Sequence, residues 1–281
     1  MLAFDGLRGL KYLYLERNHI EYFSPELFRP LIGLQYLYLD HNNIRTLPKE
    51  ACSHLQKLKV LSISHNKIQI VDEEIFNTVT LESLYMDNNA LLSLPKRFFV
   101  QLSFVTYIDL SSNSLTLESM SFEGLKKLLV LYLQNNNISV IQPLSFVHLS
   151  SLTMLVLSNN NISYLRSGTF LGLNKLRRLY LNGNVIETFD SNALQGLSSV
   201  EILYLQDNLL NGCLESNPLL GLIKLEVLHV ERNNLTCIST DVFQYNTITD
   251  FYFDHAITTD PKFNETSRRF HKVHFWSISR Y

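Results

Sequence analysis

Apolar and polar residues recur along this chain in one fixed frame, L-x-x-L-x-L-x-x-N-x-L. Within each frame the x-L-x-L-x stretch alternates with period two, the signature of a strand with one buried face. The pairs Leu13/Leu15, Leu37/Leu39, Leu61/Ile63, Leu131/Leu133, Leu155/Leu157, Leu179/Leu181 and Leu203/Leu205 are the inward positions. The Asn of the frame is Asn18, Asn42, Asn66, Asn89, Asn113, Asn136, Asn160, Asn184, Asn208 and Asn233, in steps of 23 to 25 residues. Half a period later comes F-x-x-L, as in Phe4/Leu7, Phe28/Leu31, Phe99/Leu102, Phe122/Leu125, Phe146/Leu149 and Phe170/Leu173. Phe76 and Phe243 fill the Phe place in two further units, and Cys52, Leu194 and Leu219 replace it in three. One strand per unit, always in the same direction, predicts a parallel sheet. The Phe column is expected to pack behind it. The Asn follows each strand, where the chain turns sharply. Its amide offers both donors and an acceptor to backbone groups left buried there. No unit can bury its leucines alone, so the array is held by nearest-neighbour contacts.

These residues resemble the leucine-rich repeat family, in the "typical" 24-residue class of Toll-like receptor ectodomains, the acid-labile subunit and Slit-type guidance proteins. The resemblance spans about residues 4 to 253. It implies an α/β-type repeat solenoid, a horseshoe with a concave parallel sheet and an irregular or short-helical convex side. Residues 1–253 are expected to form the array of about ten repeats. Residues 254–281 lack the leucine pattern and read as an aberrant cap or a tail, with Ala256 standing where an Asn belongs. The fifth unit is one residue short before Phe122, and the ninth is one longer around Asn217 and Pro218.

The strand positions that alternate with the buried leucines carry the candidate chemistry. The central one is Tyr14, Tyr38, Ser62, Tyr85, Asp109, Tyr132, Val156, Tyr180, Tyr204, His229 and Tyr252. Tyrosines on rigid strands make an amphipathic surface of the kind that dominates protein interfaces. Packing of neighbouring rings accounts for the same column without a ligand. Acids lie beside it at Glu16, Asp40, Asp87, Asp109, Asp207, Glu231 and Asp254, with Arg17, Arg178 and Arg232 among them. The candidate ligand-binding set is therefore Tyr14, Glu16, Tyr38, Asp40, Tyr85, Asp87, Tyr132, Tyr180, Tyr204 and Asp207. It suits a protein ligand with basic patches. The formal net charge is only -2, and no cluster of Lys and Arg offers a nucleic acid a footprint.

His41 and His65 hold equivalent places in adjacent repeats and are expected side by side. A metal or a pH response is one reading, plain surface histidines the other. His271 and His274 have ligand-like spacing without partners. Cys213 takes an apolar slot of its repeat, and Cys237 lies one residue before the matching slot of the next. Stacked repeats bring such places within disulfide range, while the offset works against pairing. Both readings stay open. Cys52 reads as a buried free thiol. No catalytic motif, cofactor site or zinc spacing is present.

No apolar run is long enough to span a membrane, and no signal peptide is read at the start. Met1 enters in mid-repeat, and neither end carries the cysteine-clustered flank of the extracellular family. That leads us to expect a fragment of a longer protein, with self-association through uncapped ends. Four acceptor sequons begin at Asn137, Asn161, Asn234 and Asn264, and the 24-residue period is that of extracellular members. An extracellular binding module is the leading expectation. An adhesion or matrix protein and a cytosolic scaffold are the alternatives.

Overall fold

The computed structural model describes residues 3–76, 80–216, 219–254, 258–259 and 272–276. The chain forms two compact units, residues 1–137 with 148–150 and residues 138–147 with 151–281. Each is a β-solenoid built on a parallel sheet.

In the first unit the sheet strands are β1 (Tyr12–Tyr14), β2 (Tyr36–Tyr38), β4 (Val60–Ser62), β6 (Ser83–Tyr85), β7 (Tyr107–Asp109) and β8 (Val130–Tyr132). Each pairs in parallel with the strand one repeat on, without register slip. A second pair, β3 (Thr46–Leu47) with β5 (Ile70–Val71), runs along the flank. In the second unit the sheet is β9 (Met154–Val156), β11 (Arg178–Tyr180), β13 (Ile202–Tyr204), β15 (Val227–His229), β17 (Asp250–Asp254) and β19 (Lys272–Trp276). Its flank carries β10 (Tyr164–Leu165) with β12 (Thr188–Phe189), and β14 (Asn211–Leu214), β16 (Asn234–Ile238) and β18 (Thr258–Thr259). Strand β19 pairs with β17 over five residues, in a stretch where the sequence shows no leucine frame.

Apart from β17 and β19, the strands of the two main sheets are three residues long because the frame allows only one buried side chain between two that face out. Leu37, Leu61, Leu84, Leu131, Leu155, Leu179, Leu203 and Leu228 are almost wholly buried. The Phe column lies behind them, with Phe28, Phe76, Phe99, Phe122, Phe146 and Phe170 equally buried. Between Phe and Leu, a glycine closes the turn in several repeats. Gly172 adopts φ +95°, and a Cβ there would lie 2.6 Å from the Val147 carbonyl oxygen, so only glycine fits without a backbone shift. The back of the solenoid is mostly turns, with short 3-10 helices at Pro25–Phe28 and Thr240–Phe243.

After ten of the sheet strands, β1 through β15 of the two main sheets, the chain reverses through one left-handed residue. Arg17, His41, His65, Asn88, Ser112, Asn135, Asn159, Asp207 and Arg232 have φ between 52 and 56°, and Gly183 takes the same place. This is the sharp turn expected from the frame. The ladder Asn follows it and ties its own repeat to the one before. Asn42 Nδ2 donates to the carbonyls of Leu39 and Leu15, each at 2.9 Å, and Asn42 Oδ1 accepts from the Ile20 amide at 3.0 Å. The same triple contact recurs at Asn66, Asn113, Asn136, Asn184 and Asn208, all buried. Asn89 and Asn233 make it while partly exposed. Asn160 accepts from the Ile138 amide and donates to Leu157, and Asn18, exposed, reaches Leu15 and Glu16 of its own repeat.

Cys213 and Cys237 are joined in a disulfide. The register between β14 and β16 shifts at Gly212/Cys213, so that Cys213 faces Cys237. The bulge absorbs the one-residue offset that made the pairing doubtful from spacing alone.

Cys52 is a free, buried thiol, and burial pushes its pKa up to about 12 from the ordinary 9.0. Its folded value is the higher one. The stability this gives is therefore complete below about pH 9 and is lost as pH rises toward 12. At pH 8 a thiol reagent is expected to label Cys52 only as fast as the chain unfolds, read by mass spectrometry with and without denaturant. Labelling of the folded chain at the rate of a free thiol would show that the site is open.

Candidate functional site

The open face of the sheet is where this architecture displays side chains without using them for the core. Residues i and i+2 of a strand share a face. Every three-residue strand therefore presents two positions outward, and the residue after the next buried leucine supplies a third. The first column in the first unit is Tyr12, Tyr36, Val60, Ser83, Tyr107 and Val130. The second is Tyr14, Tyr38, Ser62, Tyr85, Asp109 and Tyr132, and the third is Glu16, Asp40, Ser64, Asp87, Ser111 and Gln134. The sequence reading picked out the second column and the acids of the third. It passed over the first, although the Y-L-Y spacing of Tyr12/Tyr14 and Tyr36/Tyr38 carried the signal.

The rings stack along the sheet. Tyr12 lies 4.5 Å from Tyr36 and Tyr14 lies 5.0 Å from Tyr38, with planes within 6° of parallel. Tyr85 meets Tyr107 at 4.9 Å and Tyr107 meets Tyr132 at 5.6 Å, both tilted. In the second unit Tyr180, Tyr204, His229 and Tyr252 form a continuous stack at 4.6, 4.7 and 3.9 Å. Stacking hides the ring faces and leaves edges and hydroxyls outward. Burial, then neighbouring phenols, raise the pKa of Tyr38 and Tyr204, and burial followed by Asp109 raises that of Tyr107. These hydroxyls therefore meet solvent as neutral donors.

The acids are held in place by the strands beside them. Asp40 Oδ1 accepts from Ser62 Oγ at 2.6 Å and from the Ser64 amide at 2.9 Å. Ser64 Oγ donates in turn to Asp87, whose Oδ2 accepts from Asn88 Nδ2 at 2.8 Å. Asp109 accepts from the Ser111 amide and hydroxyl, while burial raises its pKa. In the second unit Asp207 is ion-paired with Arg232 from the next repeat. Glu231, buried, accepts from or shares a proton with His229 Nδ1 at 3.0 Å.

His41 and His65 stack at 4.2 Å, as their equivalent places require, and His65 Nε2 lies 3.9 Å from Asp87. Among the described residues no group of three His, Cys, Asp or Glu side chains converges as a metal site would need. Asn137, Asn161 and Asn234 are exposed. Asn264 and His271 lie outside the described residues, as does the side chain of His274.

The leucine-rich repeat family model matches residues 2–44, 32–91, 115–162 and 151–210. No curated protein sequence matches the chain. Among solved structures, the TLR13 complex with the single-stranded RNA ssRNA13 is similar, at 27% identity and TM-score 0.80, over 89% of this chain and 41% of that one. A leucine-rich repeat protein of Leptospira interrogans aligns at 26% identity and TM-score 0.67, over 95% of this chain and 72% of that one. Drosophila Toll in its complex with Spatzle shares the fold at 22% identity and TM-score 0.74, over 90% of this chain and 38% of that one. The chain thus spans about two fifths of the TLR13 chain. No helix among the described residues is long and apolar enough to cross a membrane.

Proposed function

The chain belongs to the leucine-rich repeat family, and from that premise we propose that it is a non-enzymatic binding module that holds a protein partner on the open face of its sheet, outside the cell, as part of a receptor ectodomain or a secreted factor. One observation carries this reading: two columns of tyrosines and one of acids stand on rigid strands, stacked and solvent-facing. Such side chains lose little freedom when a partner lands on them. The neighbours that hold a ligand, TLR13 with RNA and Toll with Spatzle, are consistent with the binding role. The partner class is read from this chain. With buried Glu231 and the Asp207–Arg232 pair set aside, five acids against two arginines on the face favour a protein with basic patches over RNA. Purely structural adhesion remains the second reading, since the same ladder also packs ring on ring.

The test is capture from extracellular fluid with the chain made in a secretory host. Tyr14→Ala with Tyr38→Ala, and Tyr180→Ala with Tyr204→Ala, are each expected to weaken capture at least tenfold, or about 1.4 kcal/mol. The Tm should change little, because these rings face solvent. Ile70→Ser and Leu220→Ser, exposed away from the open face, serve as controls. Equal capture by both double variants, with loss in the controls, would remove the open face as the binding surface. In the same material, enzymatic deglycosylation reports whether Asn137, Asn161 and Asn234 carry glycans. An RNA competitor that displaces the partner completely would favour a nucleic-acid ligand instead.

A further inference from the structure

The tyrosine column of the first unit is interrupted at Ser62 and at Asp109. Tyr107 of the first column bridges the second interruption by meeting both Tyr85 and Tyr132, which leaves the gap at Ser62. Ser62 stands in register between Tyr38 and Tyr85, on strands β2, β4 and β6. Beside it in the first column stand Val60 and Ser83, so no ring leans in from that side. Tyr14 covers the far face of Tyr38 at 5.0 Å, and Tyr107 approaches Tyr85 at 4.9 Å from its far side. Among the described residues, no ring lies against the two faces turned toward Ser62.

The size of this notch follows from the sheet. Neighbouring strands lie ~4.8 Å apart, so the backbones that carry Tyr38 and Tyr85 lie ~9.6 Å apart across Ser62. A flat group inserted midway would lie ~4.8 Å from each ring. That is the spacing its parallel ring pairs already use, at 4.5 and 5.0 Å. The floor is polar and already organised. Ser62 is buried and its hydroxyl donates to Asp40 Oδ1 at 2.6 Å, which places the carboxylate against the notch. Asp40 Oδ2 accepts no hydrogen bond from the described residues, and Asp87, fixed by Ser64 and Asn88, lies one strand further on.

We infer that the Tyr38–Ser62–Tyr85 notch is a subsite for an arginine side chain of the protein partner, its guanidinium lying between the two rings and donating to Asp40. This rests on the binding-face reading and names what the partner presents. The shape asks for a plane and the carboxylates ask for a cation. Guanidinium is flat and keeps its charge at neutral pH, where most histidine is uncharged, and it stacks on aromatic faces while forking onto a carboxylate. A lysine ammonium is charged but tetrahedral and fills the slot poorly. A neutral ring fits the slot but leaves the free Asp40 oxygen without a donor.

The full chain with isotope-labelled tyrosine rings can be titrated by NMR with Nα-acetyl-arginine methylamide, up to about 50 mM. Saturable shifts are expected at Tyr38 and Tyr85 and not at Tyr180 or Tyr204. The citrulline analogue, equally flat but neutral, should bind roughly tenfold more weakly, and the lysine analogue severalfold more weakly. Ser62→Tyr completes the ladder and should abolish the response, while Asp40→Asn should weaken it severalfold. Should Ser62→Tyr melt early, Tyr85→Ala removes one wall and is expected to abolish the response too. The inference is overturned by no saturable shift, by unchanged binding in Ser62→Tyr and Tyr85→Ala, or by tighter binding of the phenylalanine or citrulline analogue. If the probe fails while the paired tyrosine variants still weaken partner capture, the notch falls and the binding face stands. If the probe binds while capture is unaffected, the reverse holds.

Discussion

Leu181→Ala is expected to destabilise the chain by about 2–5 kcal/mol, the range for emptying a filled core position. Leu181 is fully buried and has Leu157 and Leu205, also fully buried, at the same position of the repeats before and after it. Its own backbone is pinned, since its amide donates to the Tyr204 carbonyl at 2.9 Å and its carbonyl accepts from both Asn184 and Asn208. The cavity therefore cannot close by moving the strand. Urea denaturation measures the loss. Leu15→Ala is the internal comparison. Leu15 holds the same frame position but is only partly buried, so it should lose clearly less. A loss below about 1 kcal/mol at Leu181 would mean that the repeats relax into the space, against the stacking described above.

Asn184→Ala is expected to cost about 3 kcal/mol by a different route. The amide Oδ1 accepts from the Ile162 amide at 3.1 Å, and Nδ2 donates to Leu157 at 3.0 Å and Leu181 at 2.9 Å. All of these contacts are buried, and two of the three reach the preceding repeat. Alanine leaves these backbone groups without partners where water has no ready access. Asn184→Asp keeps an acceptor for Ile162 but turns an oxygen toward two carbonyls, and should be no better than alanine. Asn18→Ala should cost under about 1 kcal/mol, because Asn18 is exposed and bonds only within its own repeat. Equal costs at Asn18 and Asn184 would show that the ladder acts through local turn propensity rather than by joining repeats.

Most of the fold was legible because the frame repeats. A position that returns every 24 residues must meet the same neighbours each time, so Leu, Asn and Phe could be assigned to core, turn and back without coordinates. The Asn ladder and the Phe column stand where that reasoning puts them. Strand β19 was not legible, since Lys272–Trp276 lacks the leucine frame and its pairing with β17 depends on a long-range partner. The column of Tyr12, Tyr36 and Tyr107 followed from the same period-two rule that gave Tyr14 and Tyr38. Reading only the central residue of each strand concealed it.

The amino-acid sequence by itself determined the class of solenoid, the buried face and the columns that face out, because one-dimensional periodicity and stacking distance are the same information. Tertiary structure alone decided which members of those columns interact. The β14–β16 bulge brought Cys213 opposite Cys237, where spacing placed them one residue apart. Arg232 came onto Asp207, one of the candidate ligand-binding acids. The serines of β4 and its following turn drew Asp40 and Asp87 toward the gap between Tyr38 and Tyr85. Each of these depends on side-chain reach and register to within about an ångström, which a repeat period fixes for the backbone but not for the groups it carries.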